Sequence, residues 1–478
     1  MTKKKTAELY PTLNNCLVRG SCSDFYLQNY KDGIEYSLNN EEVNFFHDLN
    51  GKNNIQKLSK KYKIEAKEIK DFINNFKGSG LIKLLKKKNE TINFPSLNKS
   101  PSLNEVQIEL TGNCNLWCKH CYGRKDFEKI SKNQITKEQL FSCLDQMKDM
   151  NVARIIISGG EAFLYKELPS VIERIAQKKI HIGGIFTNGT IIRNDIFRSL
   201  KKHNITTTFL VSLDGPNAAI HDYIRGNGNF NKSIDFIKKT ISDGFRVTVN
   251  TVAMKPNIKK LPAMRYFLEN LGVSRWRISV PREQGEVVAN KDLIIPDWDD
   301  IFKAYKRILL GVLANKGKMK IQLSSLFKTE FLENGRYYLY NNDNGCCEYK
   351  RNSLVLEANG NILSCPASLN LPLGNIKNNS LKKIWYSDLT QAIKTLPIKD
   401  TKCKNCKIKK ICGAGCRIMA KKLKGSYFEI DPNACPLYNF FHKEIQPILN
   451  KLKIKAVNIP QAKKYSFNKS VIERAWRR

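Results

Sequence analysis

At 478 residues the chain is long enough for about three domains, and its 41% hydrophobic and 10% aromatic content is that of an ordinary globular protein. The formal charge of +37 invites a nucleic-acid reading, but the lysines run through every segment beside many Asn, so a solvated basic surface or an acidic peptide partner fits better. The basic N-terminus, MTKKKTAELYPTLNNC, lacks the apolar stretch of a secretory signal, and no apolar run reaches membrane-span length. A cytoplasmic protein is expected, and in a reducing compartment clustered cysteines point to metal rather than disulfides.

In chain order, residues 22–38 read as a hairpin turning at Lys31-Asp32-Gly33. Three short helices follow, over 40–50, 54–62 and 65–77; the last carries Ile69, Phe72, Ile73 and Phe76 at helical spacing. Gly78 and Gly80 end it, and LIKLL is β-prone. Residues 1–92 thus form a small α+β module, and 93–103, with two prolines, a linker. From 104 to 335 strand and helix alternate. Strands are expected at 105–110, 154–157, 181–186, 206–213, 246–252 and 275–280, with helices at 136–150, 168–179, 193–203, 230–243 and 259–271. Six strands each joined through a helix predict an α/β fold, a parallel sheet wrapped by right-handed crossovers into a partial (β/α)6 barrel. Residues 336–440 form a Cys-rich iron–sulfur domain, and 441–478 a C-terminal helix, near 437–451, with a basic tail.

Eleven of the 14 cysteines fall into a ladder that reads as three iron–sulfur cluster sites. Cys114, Cys118 and Cys121 follow the first barrel strand as C-x3-C-x2-C, a spacing expected by chance in roughly one such chain in a hundred. A [4Fe–4S] cluster normally takes four Cys, so three leave one iron open for a non-protein ligand. Reactive groups in parallel α/β folds sit at the carboxyl ends of the strands, where this triplet falls. Cys403, Cys406, Cys412 and Cys416 spell C-x2-C-x5-C-x3-C, which chance gives in about one chain in a few thousand. A structural zinc site is the competing reading. It leaves Cys346, Cys347, Cys365 and Cys435 unexplained. Cys16 and Cys22 stand apart, and Cys143, beside Leu140, Leu144 and Met147 on a helix, is a core residue.

TGNCNLWCKHCY at 111–122, with GGE at 159–161 and six βα units, resembles the radical S-adenosylmethionine (radical SAM) enzymes. In that family the open iron chelates SAM, and cluster reduction splits it to methionine and a 5′-deoxyadenosyl radical. Carried over, Tyr122 contacts the adenine, and Gly159, Gly160 and Glu161 receive the SAM amino group. The Pro that usually follows the Glu is here Ala162. Ser212 and Arg225 match positions that contact the SAM ribose or carboxylate.

The later cysteines resemble the SPASM extension of these enzymes, which implies two auxiliary [4Fe–4S] clusters and three in all. The resemblance gives Cys403, Cys406, Cys412 and Cys435 to the distal cluster, and Cys365, Cys416 and one or both of Cys346 and Cys347 to the proximal one. The N-terminal module resembles the winged-helix peptide-recognition element of enzymes that modify ribosomally made peptides, where a leader peptide adds a strand to a sheet edge. A stability or dimerisation domain is the plainer alternative. Together these imply a sactipeptide-synthase-like maturase that binds a precursor peptide by its leader and installs an oxidative crosslink, in the first instance a Cys sulfur to α-carbon thioether. A flavodoxin- or ferredoxin-type electron donor is implied as partner. Carbon–carbon crosslinking, epimerisation and sulfatase-type formylglycine formation share the initiating radical; a nucleic-acid-modifying enzyme and a non-enzymatic iron–sulfur protein are the more remote readings.

Overall fold

The computed structural model describes residues 8–21, 24–77, 81–89, 102–340 and 352–458; Cys22, Cys346, Cys347, most of the expected linker and the basic tail lie outside them. The first module runs β1 (Tyr10–Leu13), β2 (Cys16–Ser21), β3 (Asp24–Asn29), β4 (Glu35–Leu38), α1 (Asn40–Asp48), α2 (Ile55–Tyr62), α3 (Ala66–Lys77) and β5 (Ile82–Leu85). The expected hairpin is β3–β4, antiparallel with Gln28 opposite Glu35. Its turn is built by side chains, Asn29 accepting from the Lys31 amide and Asp32 from that of Ile34, both at 2.9 Å. Two further strands were not expected, because Pro11 and the Arg19-Gly20 pair interrupt their alternation: β2 pairs with β3, and β1 with β5. Asn39 and Asn54 cap α1 and α2, the first in a capping box with Glu42. Leu27, Leu49, Leu58, Ile69 and Ile73 close a core separate from that of the rest of the chain.

The barrel region runs β6 (Glu105–Glu109), α4 (Arg124–Ser131), α5 (Lys137–Asp149), β7 (Arg154–Ser158), α6 (Leu168–Gln177), β8 (His181–Thr187), α7 (Asn194–Lys202), β9 (Thr208–Ser212), α8 (Ala218–Arg225), α9 (Asn229–Ser242), β10 (Arg246–Val252), α10 (Leu261–Asn270) and β11 (Arg275–Ser279). All six strands pair in sequence order and all in parallel. Ile155, Ile157, Phe209, Val211, Val247 and Val249 are fully buried in one core with residues of the helices, Cys143 included. The strand period of two puts Gln107, Glu109, Ser212 and Asn250 on the other, inner face.

Six strands are only the middle of the sheet. Beyond β11 come two single-turn helices, α11 (Glu286–Ala289) and α12 (Lys291–Ile294), then α13 (Trp298–Ala314), β12 (Lys320–Leu323), parallel to β11, and β13 (Phe327–Lys328) folding back on it. After α14 (Thr329–Asn334), β14 (Arg336–Leu339) leaves the sheet and pairs with residues 455–458. On the opposite edge β15 (Ser353–Leu356) lies parallel to β6, followed by β16 (Asn361–Leu363) and β17 (Gly374–Asn375), which makes eleven strands among the described residues. The SPASM-like region therefore begins by extending the barrel sheet. The C-terminal helix spans Ala434 to Lys451 with one wide turn at Phe441–Ile445.

The first module packs on the amino ends of the barrel strands. Arg19, fully buried, donates to the Asn151 side chain at 2.5 Å and to the Lys179 carbonyl at 2.6 Å, while Asn151 donates back to the Val18 carbonyl. Glu35 meets Arg154 at 2.8 Å, the Lys31 ammonium bonds the His203 carbonyl, and the Thr206 amide donates to the Lys31 carbonyl. This end lies a strand's length, about 20 Å, from the end carrying the cysteine triplet.

Candidate active site

Residues 111–123 leave the carboxyl end of β6 as a loop carrying Cys114, Cys118 and Cys121. Loops from the neighbouring strands hold it through backbone groups. After β7, the Gly160 and Glu161 amides donate to the Thr111 and Asn113 carbonyls at 2.7 and 2.8 Å; on α8, the Ile224 carbonyl accepts from Lys119 at 3.0 Å; after β11, the Glu286 amide donates to the Cys121 carbonyl at 2.8 Å. Asn115 adds side-chain bonds to Asn188 and Thr190, both at 2.9 Å, after β8. The loop is thus tied to four strand ends. Gly160 is required by the closeness of this seam, since a Cβ there would stand 2.4 Å from the Asn113 carbonyl oxygen.

Burial pushes all three thiols above their ordinary value, opposed at Cys118 by Arg225. Arg225 is itself buried. Its Nε donates to Asp214 at 2.6 Å, one Nη lies 3.8 Å from the Cys118 sulfur and the other 3.2 Å from the His120 ring. Burial works against the charge on Asp214, yet Arg225 and His120 hold its carboxyl below the usual range. Asp214 and His120 were not anticipated from sequence, although Asp214 stands two residues after Ser212 and His120 lies within the run 111–122.

The Glu161 carboxylate accepts from the amides of Asn188 (2.7 Å) and Phe163 (3.0 Å) and from the Thr187 hydroxyl (2.8 Å). Its role in the fold is to lock the turn after β7 onto the end of β8. Among the described residues no hydrogen bond reaches the carbonyl oxygens of Gly159 and Gly160, which are left as acceptors beside the cysteine loop. Ser212 ends β9 opposite Asn250 of β10, whose side-chain nitrogen is buried without a partner. Asn250 was missed by sequence reading; a polar residue inside the VTVNTV strand was its only signal. Tyr122 packs edge-on to Phe127 at 6.0 Å under the Arg282 guanidinium, in two small apolar clusters with Cys121, Ile130, Val355 and Leu363. Burial pushes its phenol up, with Glu109 adding to the effect and both Cys121 and Cys365 in electrostatic reach. Tyr122 therefore stands between the loop and the first auxiliary cysteine.

Farther along, Cys403, Cys406, Cys412 and Cys435 line one open cavity with Ile408, Ala414, Ile430 and Asp431. Cys416 is not among its walls. Gly413, Ala414 and Gly415 all take positive φ, and this left-handed run turns the chain between Cys412 and Cys416. Cys416 and Cys365 share the neighbourhood of Lys422, which donates to Gln284 at 2.7 Å, next to the segment that bonds Cys121. Among the described residues no three His, Cys, Asp or Glu side chains converge on a single-ion site. Four thiols that line one cavity without converging on a single-ion site suit a multi-iron cluster better than one zinc ion.

The radical SAM superfamily profile matches residues 108–265, and the SPASM iron–sulfur cluster-binding domain matches 346–407. An AdoMet-dependent heme synthase of Methanosarcina barkeri is 24% identical over 345 residues, 68% of this chain and 95% of that protein. The antilisterial bacteriocin subtilosin biosynthesis protein AlbA of Bacillus subtilis is 28% identical over 210 residues, 44% of this chain and 46% of its own. Among solved structures, Streptococcus suis SuiB bound to precursor peptide SuiA superposes with a TM-score of 0.65 at 20% identity, covering 89% of this chain and 99% of that one. No helix among the described residues is long and apolar enough to cross a membrane. The cysteine loop at a strand end and the Gly-Gly-Glu seam beside it lie within a radical SAM domain, and the second cysteine-lined cavity belongs to the region that opens with a SPASM domain.

Proposed function

We propose that this enzyme matures a ribosomally made precursor peptide, installing an oxidative crosslink whose first candidate is a Cys sulfur to α-carbon thioether. The observation that carries the reading is the first module, with its own core and the open edge of β4, joined to a radical SAM barrel. The heme synthase is matched over nearly its whole length by 68% of this chain, which leaves about a third of the chain without a counterpart in it. SuiB covers 89%, and its structure was solved with a precursor peptide. In the proposed reading β4, mostly exposed, accepts the leader as an added strand.

Cys114, Cys118 and Cys121 hold the SAM-binding cluster; Cys403, Cys406, Cys412 and Cys435 the distal auxiliary cluster; Cys365 and Cys416, with Cys346, Cys347 or both, the proximal one. When bound, the cluster and SAM supply a 5′-deoxyadenosyl radical. The chain's own work is positional. Glu161 fixes the turn so that the Gly159 and Gly160 carbonyls receive an amine, and the Ser212 hydroxyl and Asn250 amide face the inner side as donors for a carboxylate or ribose. Arg225 lies beneath the loop, neutralising charge beside Cys118. Tyr122 closes the side toward Cys365, and a flavodoxin- or ferredoxin-type carrier supplies the electron.

Co-expression with a candidate precursor peptide, followed by mass spectrometry, tests the reading. A thioether removes two hydrogens per link, a mass loss of about 2 Da, and leaves its cysteine closed to alkylation. An unchanged peptide mass would sink the crosslink. A second reading, iron-porphyrin chemistry, is favoured by the similarity to heme synthase and would show as porphyrin turnover by the protein without peptide.

A further inference from the structure

Fifteen large apolar side chains stand exposed among the described residues, and six of them crowd the carboxyl end of the barrel: Trp117, Leu164, Ile192, Tyr223, Val288 and Leu293. They come from the loops and short helices that follow β6, β7, β8, β9 and β11, and hydrogen bonds tie those segments together. Asn115 bonds Thr190, Arg193 donates to the Tyr165 carbonyl at 2.7 Å, the Lys119 amide bonds Ile224, and Asn290 donates to the Lys119 carbonyl at 3.1 Å. The six therefore lie on segments bonded to one another around the cysteine loop.

At the centre is Trp117, 71% exposed and placed between Cys114 and Cys118. It is held flat rather than loose. The Arg124 guanidinium stacks 3.3 Å from its ring centre, and Arg124 is fixed in turn by the Leu116 carbonyl at 2.8 Å and by Glu128. On the other side of Cys118 the Lys119 ammonium sits 3.4 Å over the ring of Tyr223. Trp, Tyr and Arg in fixed positions are the residue types that anchor protein interfaces, because little side-chain freedom remains to be lost on contact. Polar Asn113 and Asn115, both exposed, break the apolar ring. A patch of this kind suits the small, short-lived contacts typical of electron-transfer partners.

We infer that this face is the docking surface for a small acidic electron-transfer protein of the flavodoxin type. The inference rests on the radical SAM assignment and is independent of the peptide reading. Each SAM cleavage requires one electron from outside; the carrier is oxidised by one electron, the cluster held by the loop is reduced by one, and no proton or leaving group crosses the interface. Trp117 is the exposed residue bonded directly to Cys118, the buried member of the triplet. The chain's +37 charge steers an acidic carrier toward it, with Lys125 and Lys129 of α4 exposed nearby.

The test uses the cluster-loaded protein and a purified flavodoxin, measured both by surface-biosensor binding and by 5′-deoxyadenosine formation without peptide. Trp117→Ala with Lys119→Glu, and separately Val288→Glu with Leu293→Glu, are expected to weaken flavodoxin binding about tenfold or more, with binding to the unsubstituted protein falling as salt rises. Flavodoxin-driven 5′-deoxyadenosine formation falls in the same proportion in both pairs, while dithionite-driven formation by the Val288 and Leu293 pair stays within about twofold. The second pair leaves the cysteine loop untouched, so a folding defect in the first cannot decide the matter. Unchanged flavodoxin binding in both pairs overturns the inference. So does an equal loss with dithionite in both, which makes the patch a support for the loop, or a dimer turned to monomer with flavodoxin binding intact, which gives the face to a second copy.

Discussion

The two described cysteine sites are built in opposite ways. The loop of Cys114, Cys118 and Cys121 is hung on a finished barrel: four neighbouring strand ends bond it, and the buried core beneath runs through all six strands. The cavity of Cys403, Cys406, Cys412 and Cys435 has no such frame. Its walls are single turns and the first residues of the C-terminal helix, and the cluster packed around it has seven buried residues, among them Ile398, Ile418 and Tyr427. In the first site the fold sets the ligands; in the second the ligands hold the fold together, as in small domains nucleated by metal.

The largest expected effects break this contrast directly. Replacing Cys114, Cys118 and Cys121 by Ala abolishes 5′-deoxyadenosine formation while the thermal unfolding of the barrel stays where it was; persistent SAM cleavage in the triple variant would remove the core assignment. Cys412→Ala does the reverse. The protein loses about four irons, and limited proteolysis then opens the region 398–440 while residues 104–335 survive. Equal resistance of both regions would mean that the distal cavity is framed by protein after all. Smaller in extent is Gly160→Ala. Its Cβ, 2.4 Å from the Asn113 carbonyl, shifts the loop against the Gly159 and Gly160 carbonyls, and SAM cleavage falls about a hundredfold with iron content unchanged.

The same contrast explains what was legible in the sequence. Barrel strands announce themselves because helices cover one face and alternation marks it, so all six fell within a residue or two of their expected places. Of the added strands, β15 is buried on both faces and shows no alternation, and β12 is only four residues long although it alternates between α13 and α14; both join the barrel only in the whole sheet. At the candidate site, spacing exposed the cysteines and the Gly-Gly-Glu run, since both depend on local chain geometry. Asp214, His120 and Asn250 depend on which strand ends become neighbours across the sheet, and the one local mark, a polar residue within the strand at Asn250, does not say which neighbour it meets. Arg225 was found for its position, but its partners Asp214 and Cys118 lie 11 and 107 residues away in sequence.

A finished barrel also tolerates a group that the distal site, with its few buried residues, would not. Glu109 ends β6 on the inner face, almost wholly buried, with the Gln107 side chain beside its carboxylate; Glu357, just past the end of β15 on the adjacent strand, sets a like charge against it. Burial, reinforced by Glu357, pushes the Glu109 carboxyl up to about 8. Unfolded, the same group titrates near 4. The fold therefore keeps a proton that the unfolded chain has released, and between about pH 4 and pH 8 stability declines as pH rises, the contribution being complete below that window and lost above it. Glu109→Gln keeps the shape without the titration. It is expected to flatten that decline and, near pH 8, to stabilise the barrel by an amount on the order of 2 kcal/mol, read as a pH series of urea unfolding midpoints on the cluster-loaded protein. Glu357, raised by burial as well, leaves a residual slope. A wild-type pH dependence unchanged by the substitution would place the Glu109 oxygens in contact with water or a partner group, and the barrel would then carry no surplus at its catalytic end.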